Sequence, residues 1–173
     1  TGFTNHIDNS NRVIEDMMDQ IRHRGPDAAG RYVDGDIALG HRRLSIIDIT
    51  EQGDQPIYNE DRTKVLVFNG EIYNYQDIRK DLLAAGHVFR TQTDSEVLIH
   101  GYEEYGPELL PRLRGMFSFV IWDTVKKELF GARDFFDIKP LYYATMGESF
   151  LFGSEIKSFL VHPHFKKELN ETA

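Results

Sequence analysis

Apolar positions recur at two spacings along this chain, one typical of helices and the other of strands. The helical spacing comes first, and five positions share it: Val13, Ile14, Met17, Met18 and Ile21. We therefore predict a helix from about Ser10 or Asn11 to Arg24, ended by Gly25 and Pro26. The same reasoning predicts helices at roughly 76–85 and 94–105, because Gly86 and Gly106-Pro107 follow them.

Strand patterns fill the segments between and after these helices. A hairpin is predicted from strands at 31–33 and 37–40, because Asp34-Gly35 between them favours a tight turn. A third strand at 64–68 leads into Asn69-Gly70, and four more are predicted at 116–123, 128–133, 141–145 and 149–153. Stretches such as Phe-Ser-Phe-Val-Ile-Trp are apolar on both faces, which indicates a sheet covered on both sides in a mixed α and β domain.

Composition narrows the functional classes. A length of 173 residues suits one domain with its own core, and 40% hydrophobic with 28% charged residues is ordinary for a globular protein. The net charge of -8, with scattered basic residues, argues against a nucleic-acid partner. No apolar run approaches the ~20 residues that cross a bilayer, and the first residues lack a secretory pattern. We expect a cytoplasmic protein that does not contact membranes.

Cysteine is absent from the sequence. The printed residues therefore provide no disulfide, no thiolate metal site and no thiol nucleophile. The seven histidines show no ligand spacing such as His-Glu-x-x-His, so the sequence predicts no metal site.

Asn69-Gly70-Glu71 directly follows a predicted strand and has two interpretations. Taken alone, Asn-Gly favours a hairpin turn. However, the next residues continue toward a helix and not into a return strand. The alternative is that the Asn69 amide and the Gly70 N–H stabilise a developing oxyanion, since glycine lets the backbone approach a ligand closely.

Thr93-Asp94-Ser95-Glu96 precedes the third predicted helix and matches a capping box. Taken alone, the segment favours this structural interpretation, with Asp94 complementing the helix dipole. The functional alternative is that Asp94 pairs with the ammonium group of a substrate.

Arg42 and Arg43 follow the hairpin. Such arginines usually lie on a solvated face or pair with acids. One that points into a pocket would instead bind a carboxylate through two hydrogen bonds. Spacing alone does not show which of the two points inward.

Taken together, these motifs resemble a known family. The ordered set is Arg-His-Arg-Gly-Pro-Asp, Arg-Leu-Ser-Ile-Ile-Asp, Phe-Asn-Gly-Glu-Ile-Tyr-Asn, Thr-Asp-Ser-Glu, Gly-Met-Phe-Ser-Phe-Val-Ile-Trp-Asp and Ile-Lys-Pro-Leu-Tyr-Tyr. It is similar to class II glutamine amidotransferases, and more narrowly to the N-terminal glutaminase domain of glutamine-hydrolysing asparagine synthetases. The resemblance runs from Thr1 to about Phe159.

The resemblance implies an α+β fold, a four-layer αββα sandwich of the N-terminal-nucleophile hydrolase type, over residues 1–173. It implies hydrolysis of glutamine to glutamate and ammonia by an N-terminal cysteine whose own α-amine is the base. Ammonia would pass to a following synthetase domain, which amidates aspartate. ATP and magnesium would belong to that domain, so no cofactor is expected here, and a homodimer is compatible with the family.

The resemblance also assigns residues in this sequence. Arg43 would bind the glutamine α-carboxylate and Asp94 the α-ammonium group, while Asn69 and Gly70 would form the oxyanion hole. The backbone of four further residues would line the pocket: Leu44, Ile46, Ile47 and Glu71.

The sequence departs from the family pattern at three places. The cysteine would lie three residues ahead of Thr1, which itself falls part-way along the first strand, so the chain as printed is expected to be inactive. We also expect the domain to be incomplete at both ends. Asp137 stands where the family usually has glycine, and a turn that needs a positive φ would be strained there.

Two rival interpretations remain open at this point. One is an amidotransferase domain that serves another synthetase, of the glucosamine-phosphate or β-lactam-forming type. The other is a degenerate domain that binds glutamine without hydrolysing it, or only supports a partner domain.

Overall fold

Three α-helices and nine strands make up the part of the chain that the computed structural model describes, residues 1–44 and 54–168. The helices are α1 Ser10–Gln20, α2 Tyr75–Ala85 and α3 Glu96–Tyr105. The strands are β1 Gly2–Thr4, β2 Ala28–Val33, β3 Ile37–Arg43, β4 Ile57–Tyr58, β5 Lys64–Ile72, β6 Gly115–Asp123, β7 Glu128–Arg133, β8 Tyr142–Met146 and β9 Ser149–Gly153. Short 3-10 helices cover Arg22–Arg24, Gly106–Arg112 and Ile156–Val161.

The strands form two antiparallel sheets. Five strands make the first sheet in the order β2-β3-β1-β9-β8, and four make the second in the order β4-β5-β6-β7. The short strand β1 lies at the centre of the first sheet, where Phe3 pairs with Ala38 on one side and Leu151 on the other. In the second sheet, β5 pairs with β6 along its whole length, from Lys64 opposite Asp123 to Ile72 opposite Gly115.

Three separate apolar clusters show how these sheets and helices are layered. The first packs α1 against the five-stranded sheet and includes Ile14 and Met17. The second lies between the sheets, where Leu39 meets Val67 and Trp122. The third packs α2 and α3 against the four-stranded sheet. Helix, sheet, sheet and helix therefore follow one another, which confirms the predicted α+β sandwich of four layers.

Most predicted elements are present with shifted ends. The first helix ends at Gln20 and continues only as a 3-10 turn, and α3 begins at Glu96, two residues later than predicted. Strands β1 and β4 have three and two residues, too few for a pattern to reveal them. The third predicted strand continues four residues further than expected, to Ile72.

None of the helices in the described part of the chain is both long and apolar enough to cross a membrane.

Candidate functional site

Asn69, Gly70 and Glu71 lie inside β5, so the hairpin-turn interpretation of Asn-Gly is wrong. Gly70 pairs with Phe117 of the neighbouring strand β6. Its φ of 154° is positive, and a Cβ on it would lie 2.2 Å from the carbonyl oxygen of Met116. Only glycine therefore lets the two strands approach each other at this point. Asn-Gly resembles a turn because glycine is favoured both in tight turns and where two strands approach each other closely.

The side-chain amide of Asn69 is the unusual group on this strand. Its Nδ2 atom is buried and donates no hydrogen bond to any residue in the described ranges. A buried donor without an acceptor commonly costs about 1–3 kcal/mol, so such groups in native proteins call for an explanation. An acceptor that arrives with a ligand would provide one.

The backbone of Phe68, directly before Asn69, is held from two sides. Its N–H donates to the side-chain oxygen of Gln55 at 2.5 Å. Its carbonyl lies 3.0 Å from Nε2 of His41, which donates to it when that nitrogen carries the proton. The contact with His41 joins β3 of one sheet to β5 of the other next to the site, and the bond to Gln55 joins β5 to the segment before β4. Sequence analysis missed both His41 and Gln55, because neither belongs to a pattern with a physical meaning of its own.

The imidazole of His41 is kept neutral by its surroundings. Burial lowers its pKa to about 4, and the positive charge of Arg43 acts in the same direction. A neutral ring is consistent with a hydrogen-bonding role at the junction of the two sheets.

Arg42 and Arg43 point to opposite faces of β3, as successive strand residues do. Arg42 pairs with Asp19 and donates to the carbonyl of Met18 at 3.3 Å, so it faces α1. Arg43 makes an ion pair with Asp54 at 2.7 Å, and its side chain is 12% exposed. The structure thus separates two arginines that the sequence could not, and Arg43 is the one whose side chain turns away from the helix layer.

Asp94 lies ahead of α3 and is tied to the end of β5. Its Oδ2 accepts a hydrogen bond from the N–H of Ile72 at 2.8 Å. Burial raises the pKa of this carboxyl group, and the charge of Glu71 adds to the effect. Within residues 1–44 and 54–168, no lysine, arginine or histidine lies within ion-pair distance of it. The charge of this carboxylate is therefore not balanced by an ion pair among the described residues.

The predicted capping box at 93–96 is wrong. The residue that caps α3 is Ser95, and its side chain makes no capping hydrogen bond. Glu96 instead accepts the N–H groups of Arg90 and Thr91 at 2.7 and 2.8 Å, so it closes the preceding loop. The sequence match fails because the helix begins later than the motif requires.

Other candidate residues have mixed outcomes. Leu44 follows β3 with its side chain 53% exposed, so any role in the pocket belongs to its backbone. Ile46 and Ile47 lie outside the described residues. The hydroxyl of Thr1 donates to the carbonyl of Phe152 at 3.1 Å, which engages it within the sheet.

The loop after β7 contains the second departure from the family pattern. Asp137 has a φ of 57°, the positive value that glycine favours, and it pairs with Arg133 at 2.6 Å. Asp134 anchors this loop by accepting backbone N–H groups of Phe117, Phe136, Ile138 and Lys139. The loop keeps its positive-φ turn with an aspartate in place of glycine.

Comparison with known proteins shows the family to which this chain belongs. The family model described as "Glutamine amidotransferase domain" matches residues 1–173. The chain belongs to the glutamine amidotransferase domain family. Among its relatives is asparagine synthetase [glutamine-hydrolyzing] 1 of Bacillus subtilis (strain 168), 49% identical over 149 residues, or 86% of this chain and 23% of that protein. The asparagine synthetase of Zea mays is 48% identical over 148 residues, 85% of this chain and 25% of its own length.

Solved structures support the fold of the domain. A glutamine phosphoribosylpyrophosphate amidotransferase from B. subtilis superposes with a TM-score of 0.78 at 22% identity, covering 92% of this chain and 42% of that one. This likeness shows the fold alone. The chain spans about a quarter of the length of the asparagine synthetases named above, 23% and 25%. It is therefore similar to the glutamine-using part of those enzymes.

Proposed function

We propose that this domain hydrolyses glutamine to glutamate and ammonia, and that the ammonia is used to amidate aspartate. The observation that carries the first half is the buried, unpartnered amide of Asn69 beside Gly70 on β5. An amide carbonyl that becomes an oxyanion is the acceptor such a donor lacks. Removal of one donor of this kind commonly lowers kcat by ~10²–10³.

We assign the amino-acid head group of glutamine to the same end of the strand. Asp94 is a half-buried carboxylate without a cationic partner among the described residues, which suits an α-ammonium group. Arg43 would bind the α-carboxylate. Its guanidinium carries N–H donors in a planar fork that suits a carboxylate, and it also makes an ion pair with Asp54 at 2.7 Å. A cation and an anion at fixed separation recognise a zwitterion.

The nucleophile that we propose is a cysteine placed ahead of Thr1. The Thr1 amino group donates to the Gly40 carbonyl at 3.0 Å, and the Gly40 N–H donates back to Thr1 at 2.8 Å. Both bonds continue the register in which Gly2 lies opposite Leu39. A residue three positions ahead of Thr1, in that same register, would lie opposite Arg43 at the substrate end of β3.

The chemistry divides into two balanced steps. The thiolate attacks the γ-amide carbon, and the oxygen that becomes negative is stabilised by Asn69 Nδ2 and the Gly70 N–H. The α-ammonium group of the cysteine, which holds the proton taken from the thiol, gives it to the amide nitrogen as the C–N bond breaks. Ammonia departs and a γ-glutamyl thioester remains. Water cleaves the thioester to give glutamate and the free thiol.

The aspartate acceptor is proposed from the relatives, which are named as glutamine-hydrolysing asparagine synthetases. We propose a synthetase domain as partner, with ATP and magnesium bound there and not in this domain. A cytoplasmic homodimer is the form we propose for the whole enzyme.

A pair of extended chains tests the hydrolysis. One carries Cys-Gly-Val ahead of Thr1 and the other carries Ser-Gly-Val, and release of glutamate and ammonia from glutamine is measured for both. We expect hydrolysis by the cysteine form only. In that form, Asn69→Ala should lower kcat by ~10²–10³ with a small effect on KM. Asn11→Ala, on the exposed surface of α1, is the matched control.

Two results would refute the proposal. The proposed activity is refuted if a folded cysteine form hydrolyses glutamine no faster than the serine form. Equal activities of the Asn69→Ala and Asn11→Ala forms would remove the oxyanion assignment. Supplying ATP and aspartate to the full-length protein, and measuring asparagine, tests the acceptor separately.

A further inference from the structure

Four acidic and imidazole side chains converge on the outer face of the domain, apart from the residues proposed to bind glutamine. They come from three segments: Glu60 from the β4–β5 turn, His87 from the segment after α2, and His100 and Glu103 from α3. One nitrogen or carboxylate oxygen from each lies within 4.8 Å of the other three. We refer to these four residues as the His–Glu cluster.

Distances inside the His–Glu cluster approach those of a metal coordination sphere. Nδ1 of His100 lies 3.2 Å from Glu103 Oε2 and 3.5 Å from Glu60 Oε2, and Nδ1 of His87 lies 3.9 Å from Glu60 Oε1. Ligand atoms bound to tetrahedral zinc at ~2.0–2.2 Å are about 3.3–3.5 Å apart. The four ligand atoms, all within 4.8 Å of one another, are therefore slightly more widely spaced than in a bound site.

The second nitrogen of each imidazole faces a further carboxylate. Nε2 of His100 lies 3.6 Å from Glu96, and Nε2 of His87 lies 3.2 Å from Glu104. Metal-binding histidines almost always direct their other ring nitrogen to a carboxylate, a carbonyl or water, which fixes the ring and raises its basicity. Both histidines of the cluster show this arrangement.

Hydrogen bonds from residues outside the cluster also orient the carboxylates of Glu60 and Glu103. Glu103 Oε1 accepts the Asn59 amide at 2.7 Å, and Glu60 Oε1 accepts the Val88 N–H at 3.1 Å. Lys64 is 4.0 Å from Glu103 Oε1. Because these contacts use the Oε1 atoms, the Oε2 atom of each glutamate remains directed toward His100.

The His–Glu cluster is buried at His100 and open to solvent at Glu60. His100 is 1% exposed, whereas Glu60 has 36% of its side chain exposed at the edge of the cluster. Nε2 of His100 is buried and makes no hydrogen bond within the described chain, since Glu96 lies beyond hydrogen-bond range. A metal bound at Nδ1 would fix the ring of His100 so that Nε2 can hydrogen-bond to the carboxylate of Glu96.

We propose that Glu60, His87, His100 and Glu103 bind a divalent transition metal of the zinc class in tetrahedral geometry. Two imidazoles with two carboxylates suit zinc, or cobalt as its probe, better than magnesium or calcium, which take oxygen ligands. The ion would fasten α3 to the β4–β5 turn and to the segment after α2. This site is independent of the proposed glutamine hydrolysis.

A bound proton is the competing occupant. Burial opposes a charge on His100, but Glu103, Glu96 and Glu60 outweigh it and raise its pKa to about 9. If the histidine were only a buried cation held by carboxylates, His87 and Glu104 would be dispensable and no metal would bind.

The sequence predicted no metal site because the ligands do not form a short motif. His87 is separated from His100 by a loop and one turn of α3. Glu60 lies much earlier in the chain, in the turn between β4 and β5. Only the packing of α3 on the β4–β5 turn brings them together.

Zinc and cobalt binding to the metal-free chain tests the proposal. We expect one zinc per chain with a Kd below ~1 µM in competition with a chromophoric chelator, and tetrahedral d–d absorption bands with cobalt. His87→Gln and Glu60→Gln, at the accessible edge, should each weaken zinc binding by more than ~100-fold. Glu104→Gln should weaken it ~10- to 100-fold by releasing the ring of His87.

His6→Gln is the control, because His6 is exposed and lies outside the cluster. The proposal is overturned if the folded chain binds no stoichiometric zinc. It is equally overturned if His6→Gln removes binding while His87→Gln retains it. Circular dichroism of every variant confirms that a loss of binding is not a loss of fold.

Discussion

Asp94 and Ile72 are joined by a hydrogen bond of 2.8 Å from the Ile72 N–H to the Asp94 carboxylate. The bond fixes the start of α3 to the end of β5, two residues beyond Gly70. One oxygen of the carboxylate therefore holds the fold together, while the charge of the group remains without a cation among the described residues. Structure and binding can be separated at this residue.

Replacement of Asp94 by asparagine removes the charge and retains an oxygen for the Ile72 N–H. In the cysteine-extended chain we expect KM for glutamine to rise by roughly 30- to 700-fold, about 2–4 kcal/mol, because a buried ammonium loses its counter-ion. Kinetics of glutamate release measures the change. If the melting temperature falls sharply while affinity for glutamine holds, Asp94 is structural and the assignment fails.

Replacement of Gly70 by alanine tests the close approach of β5 and β6. The new Cβ would lie 2.2 Å from the Met116 carbonyl at a positive φ, so we expect a loss of about 1–3 kcal/mol in the free energy of unfolding. Urea denaturation measures it. Gly35→Ala is the matched control, because nothing lies within 4 Å of a Cβ there. Equal midpoints for the two variants would contradict the close-approach argument.

The lowered pKa of His41, about 4, predicts a specific pH dependence. An unfolded histidine takes up a proton near pH 6.5, whereas His41 in the folded chain does so only near pH 4. The unfolded state binds more protons between these values, so stability is full above about pH 6.5 and decreases as the pH falls through this window. His41→Asn should flatten the melting-temperature profile between pH 6.5 and 4, and an unchanged slope would exclude His41 as its source.

Asp134 is expected to be the main anchor of the loop that follows β7. Burial would raise the pKa of this carboxyl group, but the backbone N–H donors outweigh burial and lower it. Asp134→Asn should destabilise the domain by about 2–4 kcal/mol, since hydrogen bonds to a charged group are lost. Asp137→Asn, which loses only an exposed ion pair, should change stability by ~1 kcal/mol at most. Similar denaturation midpoints for the two variants would refute the distinction.

The alternation of apolar positions was enough to predict most of the secondary structure. Strands β7 and β9 have the predicted bounds, and α2 begins one residue early. The pattern could not show that Asn69 and Gly70 continue β5. Their residue types favour a turn locally, and only pairing with β6 overrides that preference.

The candidate site divides in the same way. Local sequence, read with the family resemblance, named Arg43, Asn69, Gly70 and Asp94 by their chemistry. It could not choose Arg43 over Arg42 from spacing, and it missed His41, whose role depends on the carbonyl of Phe68 in another sheet. Hydrogen bonds between elements far apart in the chain leave no short-range signal.

Local spacing and residue type were enough to predict a mixed α and β domain and to name the polar groups at the end of β5, whereas the order of the four layers was implied only by the family resemblance. The tertiary structure decided which of these groups are buried, unpartnered or paired, because those properties depend on neighbours from other layers. The Nδ2 atom of Asn69 is buried without an acceptor only in the folded domain, because in an extended chain water would bind to it. The His–Glu cluster likewise exists only because α3 packs beside the turn that contains Glu60.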